Sequence, residues 1–518
     1  MKKMRVLYGC LGILAATAML TACSSDDNDD NGSSSATTSY TYGKDGGLVS
    51  CDHILFDEDG KADANGKVIG NGDQGFVFTG NQTLKKGVYL LKGWVYIAKG
   101  AKLTIEPGTI IKGDKQTKAS LIAEPGGQLF AQGTASEPIV FTSEEAKGNR
   151  KPGDWGGIIL CGNAKNNHGQ MQIEGGPRTK HGGSDNADNS GALEYVRIEF
   201  AGYPFEKDKE INGLTFGSVG SGTTIDHIQV SYSNDDSYEW FGGDVNCKYL
   251  IAYKGWDDDF DTDNGFSGNV QFGLSVRDSR IADGSQSNGF ESDNDADGAA
   301  QDPYTTATFS NITFLGPKTF DSNFQNTSAY INGGGMNPNN GSSMGLFQAA
   351  MHIRRNSRLN VYNTVAIGWP IGLILDAEKP GKATGTGTQK AATDGLMKLH
   401  NIVFAGMDAT GTDFNKVYKD ALYDYATKTT DDTKKSFSST FFEQVANNNK
   451  VLADWTAFKI SQATYVPGDA STLFSYAPDF TDLKGNSFFK QVNYIGAFAK
   501  GDTWAQGWTN FDPENTNY

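Results

Sequence analysis

The chain has 518 residues, a formal charge of −16, 64 glycines and only 14 prolines. Its 61 acidic against 45 basic side chains exclude a nucleic-acid-binding surface, which needs a basic footprint. No Walker loop or H-E-x-x-H pair is present, which removes the P-loop nucleotide and zinc-protease classes.

Residues 1–22 have the layout of a signal peptide. Lys2, Lys3 and Arg5 precede an apolar run from Val6 to Leu20, and small residues lead to Cys23. The run is short for a membrane span. Leu20-Thr21-Ala22-Cys23 resembles the bacterial lipobox, whose cysteine is lipidated and becomes the mature N-terminus; the alternative is an ordinary secretory signal. Residues 23–44 read as a lipidated, flexible acidic tether. Within it, Ser24–Asp30 resembles the segment that sends lipoproteins of Bacteroidota-type bacteria to the outer face of the outer membrane. A plain solvated spacer is the alternative. The expectation is a lipid-anchored outer-membrane protein facing the exterior, with the periplasmic face as the alternative. Acyl chains on Cys23 would hold it at about 0.8 kcal/mol per buried CH₂. Loss of residues 1–22 removes three basic groups and no acidic ones, taking the formal charge from −16 to −19.

Residues 45–150 carry two related phrases, Gly100–Thr109 and Gly127–Thr134, in which Leu103/Ile105 and Leu129/Ala131 alternate inward. Residues 151–406 then repeat one short strand, usually closed by glycine: Val196–Gly202, Ile228–Tyr232, Ile312–Gly316, Val365–Gly368 and Ile402–Gly406. A chain that repeats a strand and returns by short routes winds a solenoid. The fold expected is all-β, a right-handed, single-stranded parallel β-helix of the pectin-lyase-like kind. Asn311, Asn363 and Asn401 precede three of the strands, and stacked asparagines can hydrogen-bond between coils. The glycine-rich stretch from Asn332 to Gly345 reads as a loop over one face. Residues 407–518 form a helical insertion and a C-terminal coil or cap: one or two short helices within Ser436–Lys459, then a closing clamp. Cys51, Cys161 and Cys247 show no metal spacing, and no disulfide is expected.

Four segments occur together: Trp155–Leu160, Asp257–Gly265, His352–Arg355 with Trp369–Leu373, and Tyr494–Phe498 with Gly507-Trp508. Together they resemble a family of β-helix lipoproteins from Bacteroidota and related bacteria, over residues 80–518. The resemblance implies fold and location; it carries over no catalytic residues.

Three coils share similar text: Ser237–Phe241, Asp259–Asp263 and Gly289–Asp293. With Tyr238, Phe260 and Phe290 inward, Glu239, Asp261 and Glu291 form one outward column, and Asp263 and Asp293 a second. Carboxylates about 5 Å apart repel by roughly 3 kcal/mol at an effective dielectric near 20. Calcium, bound by oxygens at about 2.4 Å, is the cofactor expected, on Glu239, Asp259, Asp261, Asp263, Glu291, Asp293, Asp295 and Asp297. The last three belong to a D-x-D-x-D-G run, although Tyr304 stands where a calcium loop would close on glutamate. The alternative is acidic turns that cap strands and face water. Three functions stay open. One is a surface binder of an extracellular ligand, glycan in first place, using Trp240, Tyr253, Trp256 and Trp369. Another is a calcium-dependent polysaccharide lyase with Lys254, Arg354 or Arg355 as base. The third is an adhesin or accessory of an outer-membrane nutrient transporter.

Overall fold

The computed structural model describes residues 49–518 except 176, 207–208, 339 and 381–385. The expected signal peptide and tether, with Cys23, lie outside the described residues. Short strands wind into a parallel β-helix. A twelve-stranded sheet runs in chain order from Val49–Cys51 to Ala409–Thr412, and an eighteen-stranded sheet forms the rest of each coil. The two sequence phrases stack as their alternation requires: Leu103 lies opposite Leu129, and Ile105 opposite Ala131. Val196 lies opposite Ile228, and Leu315, Ile367 and Ala405 form one further column.

The long strands of the second sheet each bend at one left-handed residue. These are Tyr195 (φ 50°), His227 (φ 54°), Tyr249 (φ 57°), Phe272 (φ 66°) and Asn311 (φ 61°). Elsewhere the bend separates two strands: Asn360–Tyr362 and Val365–Ile367 both pair with Thr308–Leu315. Left-handed backbone is costly for a side chain with Cβ, and stacking at this corner offsets it. The His227 ring lies 4.4 Å from Tyr195 and 4.3 Å from Tyr249, and Tyr249 lies 5.0 Å from Phe272. The corner then passes to asparagine, which tolerates this region best. Asn401 Nδ2 donates to Asn363 Oδ1 at 2.8 Å, and Asn448 Nδ2 to Asn401 Oδ1 at 2.9 Å.

Inward side chains make one continuous core from Cys51 to Phe442. The three described cysteines are free and buried. The helix Phe437–Phe442 covers the end of the solenoid, where an open strand edge would otherwise invite pairing. Asp413 accepts the backbone N–H groups of Phe437 and Ser438, each at 3.0 Å, and Phe442 stacks on Phe404 at 4.1 Å. Helical spacing stops there: the chain continues as single 3₁₀ turns at Val445–Asn447 and Thr456–Phe458, and Val445 is 97% exposed.

Beyond Lys450–Leu452 the described chain forms no further strand. It returns along the flank as a strap tied to successive coils. Asn401 Nδ2 donates to Ala477 O, Asn311 Nδ2 to Tyr494 O, and Gln229 Nε2 to Asn510 O. Tyr518 OH donates to the buried Glu199 at 2.6 Å.

Candidate functional site: an acidic groove on the twelve-stranded sheet

Period-two alternation builds the floor of the site. On the strand Tyr238–Gly243, Tyr238 and Trp240 enter the core, so Glu239 faces out. Register then sets Glu239 opposite Asp261, Asp261 opposite Glu291, and Glu291 opposite His352. Neighbouring rungs of a sheet are about 4.8 Å apart.

The turns that enter these strands supply more acid. Asp236 Oδ1 accepts from Asp258 N at 2.8 Å, and Asp258 Oδ1 from Asn288 N at 2.5 Å. This ladder fixes the turns of successive coils to one another. Beneath it lies Arg277, whose side chain is fully buried. Its Nη1 donates to Asp257 O at 2.6 Å and Asp259 Oδ1 at 2.9 Å, and its Nη2 to Trp256 O at 3.1 Å. The result is a groove of about 1100 Å³ lined by ten carboxylates, with Arg354 and Arg355. One wall is the hairpin Pro204–Glu206/Lys209–Glu210. Gly202 (φ 96°) lets it approach: a Cβ there would lie 2.6 Å from Asn234 N. The other wall includes Asn340, Gly341, Ser342 and Ser343 of the glycine-rich loop.

Three sets of carboxylates bring one oxygen each within 4.8 Å of one another: Asp235, Asp236 and Asp257; Asp236, Glu239 and Asp261; Asp258, Asp261 and Glu291. Burial, then the surrounding negative charge, pushes Asp235, Asp236, Glu239, Asp257 and Asp261 well above the usual carboxylate range. Asp258 is pushed up to about 8, by burial and then by Glu291. Burial also pushes Glu291 up, but Arg354 and His352 outweigh it and hold that carboxyl at about 2. Two oxygens in the groove, Asp257 Oδ1 and Asp261 Oδ1, are buried without a hydrogen-bond partner. Oxygen-only sets with orphaned acceptors fit a hard divalent cation such as calcium.

Several residues singled out from the sequence lie elsewhere. Trp240, Tyr253, Trp256 and Trp369 are buried and form no sugar-facing surface. Trp240 points inward for the same reason that Glu239 points outward, and it stacks on Phe216 at 5.3 Å. Trp369 lies in the main core, whereas Trp256 and Tyr253 belong to the flank cluster. Tyr253 OH donates to Phe511 O of the strap at 2.7 Å. The half-buried aromatics that do line the groove are Tyr203 and Phe205, with Lys118 Nζ 4.6 and 6.0 Å from their rings.

Asp259 precedes its strand, so the alternation does not extend to it. It is fully buried in an ion pair with Arg277 and accepts from Ser275 Oγ at 2.5 Å. In the second column Asp293 is paired with Arg354 at 2.8 Å and Arg355 at 2.6 Å, whereas Asp263 has no ion pair among those described: its Oδ1 accepts the N–H of Asn264 at 2.5 Å, and burial, then Asp293, pushes its carboxyl well above the usual range. The D-x-D-x-D-G run does not gather its carboxylates. Asp295 accepts the N–H groups of Asp297 and Ala299 and pairs with His168, while Asp297 faces solvent beside Lys379. Tyr304 stacks under the Arg358 guanidinium.

Among the candidate bases, Lys254 sits on another flank, paired with Asp278 at 3.0 Å. Arg354 lies in the groove between Glu291 and Asp293; its burial favours the neutral form, but these two carboxylates outweigh it and raise its pKa well above the ordinary value. His352 belongs to one of the segments that carry the family resemblance but not to the acidic column. It is buried, 3.4 Å from both Glu291 and Asp376. Asp235, Asp236, Asp257 and Asp258 also escaped the column argument. Their signal was present: an acidic pair stands two and three residues before the inward aromatic in both coils. Gly70–Gly75 reads G-x-G-x-x-G and Gly341–Gly345 reads G-x-S-x-G, but neither is followed by a helix, so neither has the strand–turn–helix setting of a dinucleotide fingerprint or a nucleophile elbow.

A parallel β-helix with an acidic groove across adjacent rungs is thus the class of protein that fold and site define. Residues 75–460, well over half of the chain, match the family described as a pectate-lyase-like beta helix domain, and the chain belongs to that family. No curated protein and no solved structure matches it.

Proposed function

We propose that this protein is a cell-surface lipoprotein that binds an extracellular glycan in the acidic groove with a hard divalent cation, calcium in first place. The observation that carries this reading is the pair of orphaned buried oxygens, Asp257 Oδ1 and Asp261 Oδ1, among carboxylates close enough to share an ion. Such crowding needs a proton or a cation to offset it. Asp258, Asp261 and Glu291 would hold the ion, which when bound supplies positive charge and open coordination positions for sugar oxygens. Tyr203 and Phe205 offer the rim a ring surface, and Arg355 an adjacent guanidinium. Anchoring through Cys23 rests on the amino-terminal sequence alone. Equilibrium binding to a glycan panel, with calcium and then with chelator, tests the reading. Binding that survives complete calcium removal would separate the metal from recognition; no binding to any glycan would sink the proposal.

A calcium-dependent polysaccharide lyase is the second reading. It is favoured by the presence of Arg354 and Arg355 in the same groove as the acids. Against it, Arg354 is held as a cation by Glu291 and Asp293 and is a poor proton acceptor. Formation of unsaturated uronate on pectin, alginate or glycosaminoglycan, followed by ultraviolet absorbance, decides between the two.

A further inference from the structure

The solenoid and the strap do not share one interior. The core that runs from Cys51 to Phe442 holds no buried residue from beyond Phe442. A separate cluster forms where the strap lies on the eighteen-stranded sheet: Ile251, Leu274 and Val276 of the coils pack with Ile495, Phe498 and Trp508 of the strap. Among the described residues no strand of the strap pairs with a coil. Three carboxamide side chains hold its main chain instead, each by two hydrogen bonds. Gln229 donates to Asn510 O and accepts from Asn510 N, both at 2.8 Å. Gln271 does the same with Lys490, again at 2.8 Å, and Asn363 with Asp479 at 3.0 and 2.7 Å. The grip closes at Tyr518, whose hydroxyl donates to Glu199 Oε1 at 2.6 Å. Beside it, the buried Arg150 donates from Nη1 to Pro513 O at 2.7 Å and to Thr516 O at 2.9 Å.

We propose that the strap is a latched conformational element: it opens from the coils as one unit while the solenoid stays wound, and the contact of Tyr518 with Glu199 is its latch. A segment opens by itself when its contacts can break without disturbing the interior of the rest. The solenoid meets that condition, because its core is packed without any strap residue. The three clips grip backbone alone and hold whichever side chains the strap carries at those points. The latch is different in kind, since it needs a phenol hydroxyl. Glu199 is fully buried, and its second oxygen, Oε2, has no hydrogen-bond partner. Loss of the Tyr518 donor would leave Oε1 poorly satisfied as well, and a buried acceptor without its donor is costly. Opening would uncover Ile251, Leu274, Val276, Leu315 and Ile367, an outward apolar row on the eighteen-stranded sheet. The groove lies on the other sheet, so this element is independent of the cation and glycan readings.

Hydrogen–deuterium exchange of the full chain, read by mass spectrometry and corrected for intrinsic rates, tests this. In the wild type, peptides within 477–512 are expected to exchange together, about tenfold or more faster than the strands Thr224–Ser231 and Asn246–Tyr253 beneath them. Tyr518→Phe, which removes only the hydroxyl, is expected to speed the strap roughly five- to a hundredfold and to leave both strands unchanged. One common rate for strap and strands in the wild type would overturn separate opening. A strap rate in Tyr518→Phe equal to that of the wild type would overturn the latch. Equal acceleration of strap and strands, or a Tyr518→Phe chain that does not fold, would show that the solenoid itself depends on this contact and would overturn the proposal as a whole.

Discussion

Without calcium, the stability of the groove should fall as the pH rises. Asp258 sets the scale, with a folded pKa of about 8 against an ordinary value of 3.8. A carboxyl raised in this way binds its proton more tightly in the native chain than in the unfolded one. Its contribution is complete below 3.8 and is lost as pH climbs through the folded value. At about 1.36 kcal/mol per pH unit, Asp258 alone should withdraw up to ~2 kcal/mol between about pH 6.5 and 8. Asp235, Asp236, Glu239, Asp257 and Asp261 are raised too and add in the same sense. So does His352: burial lowers it, but Asp376 and Glu291 outweigh that and raise it above 6.5. His181 acts oppositely. Burial lowers it to about 4, so its contribution is present above 6.5 and is lost only as pH falls, outside this window. Glu291, held at about 2, is ionised throughout. A bound cation replaces the protons and should flatten the slope. The assay is a thermal melt at both pH values, in chelator and in calcium. The melting temperature should drop across the window in chelator, and the calcium-induced rise should be larger at the higher pH. A flat or rising melting temperature in chelator, or an equal calcium shift at both values, would refute the reasoning.

Four further outcomes are expected. Arg277→Met leaves Asp259 buried without its partner and should cost about 3–5 kcal/mol, whereas Arg277→Met with Asp259→Leu should recover much of the loss; melts of the single and double variants check it. Trp240→Ala should cost about 3–5 kcal/mol through the cavity it leaves while glycan affinity of the folded fraction stays unchanged. Tyr203→Ala should show the reverse, a stability change within about 0.5 kcal/mol and weakened glycan binding, both measured on the same preparations. Cys23→Ser should move the protein from the membrane fraction to the soluble fraction of fractionated cells, and retention on the membrane would remove the lipid anchor.

The solenoid was legible in the sequence because its physics is local. Leu103, Ile105, Leu129 and Ala131 alternate with a period of two, and each repeat has only its neighbour to pack against, so matching phrases stack. The same rule put Glu239, Asp261 and Glu291 on one line. Applied one residue further, the same rule sends Trp240 into the core, where the structure places it.

What the sequence determined by itself was the coil, its outward column and the corner asparagines, since each follows from spacing along one strand and repetition across the next. Tertiary structure alone decided which turn acids converge, because Asp235, Asp236, Asp257 and Asp258 lie where the period-two rule no longer holds and the coil path sets direction. It also decided that Lys254 faces a different flank, that Arg354 and Arg355 neutralise Asp293, and that the tail lies back over the coils as a strap. Those outcomes depend on contacts between residues far apart in the chain, such as Gln229 with Asn510 and Glu199 with Tyr518, and no local pattern encodes them.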